Sequence, residues 1–141
     1  MPLDKGSLID FLKVLDGELE EHVTIVAAGG TAMTLLDLKT STVDVDFTIP
    51  ANNKAVLERI LRTIPHGFKI DMWANGLVFS QQLPPDYLER SIEIITLDHV
   101  VLKALDPVDI ETSDFNFPGH DIEAFRWNFK LLSTRKSTRS P

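Results

Sequence analysis

A short apolar segment that ends at two consecutive glycines constrains the fold more than any other part of the sequence. Residues 23–28 are apolar and β-branched with no polar alternation beyond Thr24, which predicts a central strand covered on both faces. Gly29 and Gly30 end this strand, and residues 31–38 then predict a short helix. A buried strand that passes straight into a helix indicates a sheet with at least one helical layer.

A second strand is predicted to carry two carboxylates on one face. Along residues 43–49, apolar residues alternate strictly with polar ones that include Asp44 and Asp46, so the apolar side chains share one face and both aspartates the other. Residues two apart on a strand are separated by about 7 Å, which lets both carboxylates converge on divalent cations such as Mg²⁺. Asp71, on the polar face of a third alternating segment over residues 68–73, supplies a third carboxylate.

The two glycines complement these carboxylates. Glycine lets a phosphate approach the backbone, and the N–H groups of the helix that begins near Thr31 favour an anion. A triphosphate held there could direct its oxygens towards Asp44 and Asp46. Taken singly, the glycines read as a plain turn and the aspartates as a solvated sheet face; their order along the chain is what indicates a metal-and-nucleotide site. The glycine motifs of P-loop and dinucleotide-binding proteins are absent from the sequence.

Composition limits the class of protein. The 141 residues are enough for one ordinary domain, and no apolar run approaches the ~20 residues that span a bilayer. The first residues lack the pattern of a secretory signal and the chain has no cysteine, so we expect a cytoplasmic protein without disulfides. The net charge of −7 argues against a nonspecific coat on duplex DNA.

Helices and strands alternate along the rest of the chain. Helices are predicted over residues 7–20, about 53–64, 99–105 and 121–132, strands over residues 68–73, 77–80 and 91–96, and a loop over residues 108–119. Asn75-Gly76 predicts a hairpin turn. We therefore expect one domain of the α/β (α+β) class over residues 1–132, with a mixed sheet flanked by helices. Residues 133–141 form a basic tail that is either flexible and solvated or in contact with RNA.

Four segments resemble the nucleotidyltransferase superfamily with the polymerase-beta-like fold: VAAGGTAM (26–33), TVDVDF (42–47), KIDMW (69–73) and TLDHVVLKAL (96–105). More narrowly, they resemble the small prokaryotic nucleotidyltransferases related to abortive-infection toxins. The resemblance covers roughly residues 23–105. It implies a nucleotidyltransferase fold and transfer of a nucleoside monophosphate from an NTP, such as ATP, to a hydroxyl of RNA or protein, with release of pyrophosphate.

The resemblance also implies roles for individual residues. The metal ligands, for two Mg²⁺ ions or Mn²⁺ in their place, would be Asp44, Asp46 and Asp71. The residues that contact the nucleotide would be Gly29, Gly30, Thr31 and Lys103. Asp71 would also help to deprotonate the attacking hydroxyl, whereas Lys103 alternatively points to water. Apart from the resemblance, Trp73 shares a face with Asp71 and either stacks on a base or packs against a helix.

The sequence departs from that group in three respects. The group often has an arginine four residues before the first metal aspartate, where this chain has Thr40, with Lys39 one place earlier. The Lys-Asp…Asp signature that often follows in that group is not clear in this sequence, although Asp109 and Asp114 are candidates for it. The third difference is the larger C-terminal domain with which many transferases hold their substrate, and which we expect this protein to lack. We therefore expect acceptor binding to need a homodimer or a small helical partner protein. The alternative is a catalytically weak or inactive module that binds a nucleotide or a partner within a toxin–antitoxin-like pair.

Overall fold

A computed structural model of the chain describes residues 2–79 and 81–113. The predicted helix over residues 121–132 and the basic tail lie outside these residues. The described elements are α1 (Lys5–Glu18), β1 (Val23–Ala27), α2 (Gly29–Leu35), β2 (Val45–Ile49), α3 (Ala51–Thr63), β3 (Ile70–Ala74), β4 (Leu77–Val78), β5 (Gln81–Gln82), α4 (Tyr87–Arg90), β6 (Ile92–Thr96), β7 (Val100–Ala104) and α5 (Pro107–Ser113). Among these, no helix has the length and apolar character needed to cross a membrane.

Five of the strands form one mixed sheet with the order β3-β2-β1-β7-β6. Strand β1 is parallel to β7 and antiparallel to β2, and β2 is parallel to β3. Strand β6 completes the sheet antiparallel to β7. Helix α1 contacts α2 and α3, and α2 and α3 also contact the sheet. The mixed sheet with flanking helices predicted from the sequence is confirmed.

The core forms where the apolar stripe of α1 meets the sheet. Leu8, Leu12 and Leu15 recur at helical spacing and are buried in one cluster with Ile25 of β1 and Phe47 of β2. Helix α1 begins two residues before the predicted start because the side chain of Asp4 accepts a hydrogen bond of 2.8 Å from the N–H of Ser7. Asp4 is therefore the N-cap of α1.

A buried carboxylate ties α1 to the turn between β6 and β7. Asp16 Oδ1 accepts hydrogen bonds from the N–H groups of His99 (2.6 Å) and Val100 (2.8 Å). Burial raises the pKa of Asp16, but these donors stabilise the ionised form more strongly, so the pKa lies below its ordinary value. The ionised carboxylate therefore stabilises the fold.

Three sequence-based predictions about elements were wrong. Residues 100–104 form a central strand, not part of a helix, because β7 is paired along its length with β1 on one side and with β6 on the other. Residues 108–113 belong to α5 instead of a loop, and Asp106 Oδ1 accepts from the N–H of Val108 at 2.7 Å at its start. Strand β4 follows the predicted Asn75-Gly76 turn but pairs with β5 rather than with β3.

Candidate functional site

The strand-to-helix turn at Gly29 closely approaches two side chains. Gly29 has φ +52°, a left-handed conformation that residues with a side chain adopt rarely. A Cβ at this position would lie 3.1 Å from the ring of Phe79 and 3.4 Å from Asp46 Oδ2. The backbone also joins the two segments, because the N–H of Ala28 donates to the carbonyl of Asp46 at 2.9 Å. The carboxylate of Asp46 therefore lies directly at the glycine turn.

Thr31 fixes the start of β2 against this turn. Its hydroxyl donates to the carbonyl of Asp44 at 3.1 Å and accepts from the N–H of Asp46 at 3.1 Å. Thr42 Oγ1 donates to the same Asp44 carbonyl at 2.9 Å. Thr31 is fully buried, so its hydroxyl positions the backbone that carries both aspartates. Contact between Thr31 and a nucleotide stays a prediction.

Asp46 and Asp71 lie side by side on neighbouring strands. They are partners in the parallel register of β2 and β3, so their side chains leave the same face of the sheet, with Cα atoms about 4.8 Å apart. Asp46 is buried, with 7% of its surface exposed, whereas Asp71 is half-buried and lies 3.5 Å from Lys69 Nζ. The structure thus brings together two of the three predicted carboxylates.

Asp44 differs from the prediction. The strand begins only at Val45, so Asp44 lies in a bend before it and is exposed. Val43, the first residue of the predicted alternation, is also outside the strand and 65% exposed, whereas β2 is buried along its whole length. Within the described residues, no three or more His, Cys, Asp or Glu side chains are grouped so that they could hold a metal ion.

Two adjacent carboxylates nevertheless fit one Mg²⁺ ion. In proteins Mg²⁺ commonly takes one or two carboxylates and fills its remaining positions with water and substrate phosphates, without a dedicated cage of protein ligands. Asp46 and Asp71 supply such a pair on a single sheet face. A second ion, with Asp44 as a ligand, stays a prediction.

A lysine that sequence reasoning did not assign to the site lies beside Gly30. A Cβ at Gly30 would be 3.2 Å from Lys39 Nζ and 3.1 Å from Thr42 Oγ1. Lys39 also lines an open cavity of about 480 Å³ between the start of α1 and the segment that follows α2. Its position one place before Thr40 was visible in the sequence, but only the loop conformation brings its ammonium group to the turn. Lys39 therefore places a positive charge next to the candidate site.

Lys103, in contrast, is directed towards another part of the molecule. It lies on β7 in register with Val26 of β1, and its ammonium group donates to the carbonyl of Leu88 in α4 at 3.0 Å. The structure therefore bonds Lys103 to α4 and does not bring it to the Gly29 turn. A role for Lys103 in nucleotide binding stays a prediction.

Asp109, a candidate for the downstream signature, is buried and forms an ion pair with the half-buried Arg90. Its Oδ1 accepts from Arg90 Nη2 at 2.5 Å, and Arg90 also binds Asp86. Burial raises the pKa of Asp109 despite the pairing with Arg90. This network joins α4 to α5. Asp114 lies outside the described residues.

Comparison with known proteins supports the fold. No protein-family model and no curated protein matches the sequence. The structure is similar to a crystal structure of a protein from Thermotoga maritima that is provisionally assigned as a nucleotidyltransferase, with a TM-score of 0.53 and 16% sequence identity. The similarity covers 96% of this chain and 91% of that one. At this identity the likeness establishes that the two proteins share a fold and nothing finer.

Proposed function

We propose that this protein is a Mg²⁺-dependent nucleotidyltransferase that transfers a nucleoside monophosphate from an NTP to a hydroxyl of RNA or protein. The observation that carries the proposal is the in-register pair Asp46 and Asp71, with the Asp46 carboxylate against the Gly29 turn. The fold shared with the Thermotoga maritima protein supports the same class of reaction. A nucleoside triphosphate needs a cation that neutralises its charge and a backbone that its phosphates can approach. Two carboxylates that could bind Mg²⁺, next to a glycine turn, match both needs.

The burial and position of each residue indicate its role in this reaction. Asp46 and Asp71 would hold Mg²⁺, which when bound supplies charge neutralisation and orientation to the phosphate oxygens. Gly29 and Gly30 carry no side chain at the turn, and the positive charge of Lys39 beside Gly30 would offset the negative charge of bound phosphates. Thr31 keeps the aspartates in register with the turn.

Asp71 is the residue best suited to face the acceptor. It is half-buried on β3, the edge strand of the sheet, whereas Asp46 is enclosed on β2. In the proposed reaction the acceptor oxygen bonds to the α-phosphorus, the bond from that phosphorus to the pyrophosphate oxygen breaks, and Asp71 accepts the hydroxyl proton. We propose that a second copy of the chain or a small helical partner protein contributes the surface that binds the acceptor.

Label transfer tests this function. The protein is incubated with α-labelled NTPs, Mg²⁺ and either total tRNA or cell lysate, and labelled RNA and protein are counted. Residues that merely support a metal ligand usually affect activity by about 10–100-fold when they are substituted. Asp46→Asn and Asp71→Asn should each reduce transfer by more than this. Asp10→Asn, which neutralises an exposed carboxylate on α1, is the matched control and should transfer at the wild-type rate. Wild-type transfer by both Asp46→Asn and Asp71→Asn would show that the mechanism is wrong.

A second candidate is a module that binds a nucleotide or a partner without catalysis, as half of a toxin–antitoxin-like pair. The exposed position of Asp44, outside any three-carboxylate group in the described residues, favours this candidate. The same samples distinguish the two. Calorimetric binding of Mg²⁺ and ATP without label transfer to RNA or protein supports the module, whereas transfer excludes it.

A further inference from the structure

An aromatic pair beside the carboxylates has no part in the function proposed above. The rings of Trp73 and Phe79 have centroids 4.8 Å apart with planes inclined at 56°, and both residues are half-buried. Trp73 is the partner of Thr48 in the register of β2 and β3. Because side chains two apart on a strand share a face, Trp73 lies on the same face of the sheet as Asp71 and Asp46.

The backbone conformation of Phe79 places its ring at the glycine turn. Phe79 has φ +49°, which is uncommon for a residue with a bulky side chain. Two of its ring carbons lie 3.1 Å from the point that a Cβ of Gly29 would occupy, and Asp46 Oδ2 lies 3.4 Å from that same point. An aromatic ring and a carboxylate thus meet at one position of the turn.

The two rings lie at the border of the core. Trp73 and Phe79 pack against the core but remain half-buried, whereas Phe47, with 2% of its surface exposed, is enclosed within it. Trp73 is displaced from Asp71 by two residues along β3, a distance of about 7 Å between Cα atoms. In a nucleotide, the sugar introduces a comparable separation between the α-phosphate and the base.

We propose that Trp73 and Phe79 form the wall against which the base of the bound nucleotide stacks, and that this wall favours purines. The inference rests on the proposed function, because it takes the phosphates to be held near Asp46 and Gly29. Stacking on aromatic rings accepts any base, and its strength grows with the area of the base. The site therefore takes adenine and guanine nucleotides alike and binds cytosine and uracil nucleotides more weakly.

Tryptophan fluorescence tests the wall directly. The sequence contains two tryptophans, so Trp127→Phe in the full chain leaves Trp73 as the reporter. Adenosine and cytidine are titrated with EDTA present, and ATP and CTP with Mg²⁺. We expect adenosine and ATP to change the Trp73 emission and to bind more tightly than cytidine and CTP.

A substitution that preserves bulk isolates the contribution of the ring. Phe79→Leu retains an apolar side chain, which protects the fold, and should weaken adenosine and ATP binding at least about 5-fold, the lower end for loss of one stacking ring. The matched control is Phe68→Leu, which removes another half-buried ring, packed on Phe11 and His66, and should leave binding unchanged. Equal affinity of Phe79→Leu and the parent would overturn the proposal.

The same titrations separate this inference from the proposed function. If calorimetry registers Mg²⁺-dependent ATP binding while the Trp73 emission does not respond to ATP or adenosine, the stacking wall is refuted and the metal–nucleotide site stands. If adenosine changes the Trp73 emission and Phe79→Leu weakens that response, while Asp46→Asn leaves Mg²⁺–ATP binding unchanged, the stacking wall is supported and the metal site is refuted.

Discussion

Gly29→Ala places a methyl group where both the backbone and the neighbouring side chains oppose it. The residue has φ +52°, and its new Cβ would lie 3.1 Å from the ring of Phe79 and 3.4 Å from Asp46 Oδ2. Phe79 also packs against Trp73, so its ring can yield only by disturbing that pair. The substitution therefore tests whether Phe79 and Asp46 lie directly against the Gly29 turn, an arrangement on which the candidate site depends.

The expected loss of stability can be worked out from these contacts. A left-handed conformation costs an alanine about 1–2 kcal/mol, and relief of the contact with the ring costs about 1 kcal/mol, the lower end for an overpacked site. Alanine also lowers the entropy of the unfolded chain, which offsets about 0.4–1 kcal/mol of this loss. The free energy of unfolding should thus fall by about 2 kcal/mol, equivalent to a decrease in Tm of about 4–8 °C.

Urea unfolding followed by circular dichroism measures this change. Gly17→Ala is the matched control, because Gly17 lies within α1 and a Cβ there would meet nothing within 4 Å. It should raise the free energy of unfolding by about 0.5 kcal/mol, since alanine favours a helix more than glycine does. A Gly29→Ala protein within about 0.5 kcal/mol of the wild type would refute the close approach at the turn.

Three further substitutions test the contacts around the site and the fold, each by urea unfolding. Thr31→Val removes a buried hydroxyl that makes two hydrogen bonds and should cost about 1–3 kcal/mol, whereas Thr31→Ser should recover most of it; equal loss in both would contradict the positioning role. Asp16→Ala should cost about 1–3 kcal/mol at pH 7. Because the pKa of Asp16 is lowered in the folded state, its carboxylate stabilises the fold fully at a pH above its pKa in the unfolded chain, which is about 4. The loss of stability caused by Asp16→Ala should therefore shrink as the pH falls towards the folded-state pKa. A loss that stays constant with pH would contradict this account. Arg90→Ala leaves the buried carboxylate of Asp109 without its cation and should cost about 2 kcal/mol at pH 7. The loss of stability caused by Arg90→Ala should also shrink in acid, because Asp109 is then protonated and no longer needs a cation. A loss that grows in acid would exclude burial as the cause of the raised pKa of Asp109.

The part of the fold around β1 was predictable because local signals and long-range packing agree there. The apolar run over residues 23–28 is a central strand, and Gly29 has the positive φ that its residue type allows. Asp46 and Asp71 each lie on an alternating segment, and both segments form strands. The alternation could place each carboxylate on a strand but not the two strands next to each other.

Other features depend on contacts that no local pattern contains. The segment around Lys103 has apolar residues at helical spacing, yet pairing with β1 and β6 makes it a strand. The ring of Phe79 reaches Gly29 only because of an uncommon φ at a position that reads as an ordinary strand residue. Lys39 approaches Gly30 through the path of a loop. Long-range pairing and loop conformation decide these cases, and neither has a period along the sequence.

The central claim, that Asp46 and Asp71 bind a metal together with a nucleotide, is tested most directly by the coupling between Mg²⁺ and ATP. Calorimetry measures the ATP affinity of the wild type, Asp46→Asn and Asp10→Asn, each with Mg²⁺ and with EDTA. We expect Mg²⁺ to increase the ATP affinity of the wild type and Asp10→Asn by at least about 10-fold, and to have little effect on Asp46→Asn. An ATP affinity of Asp46→Asn that rises with Mg²⁺ as in the wild type would contradict the claim.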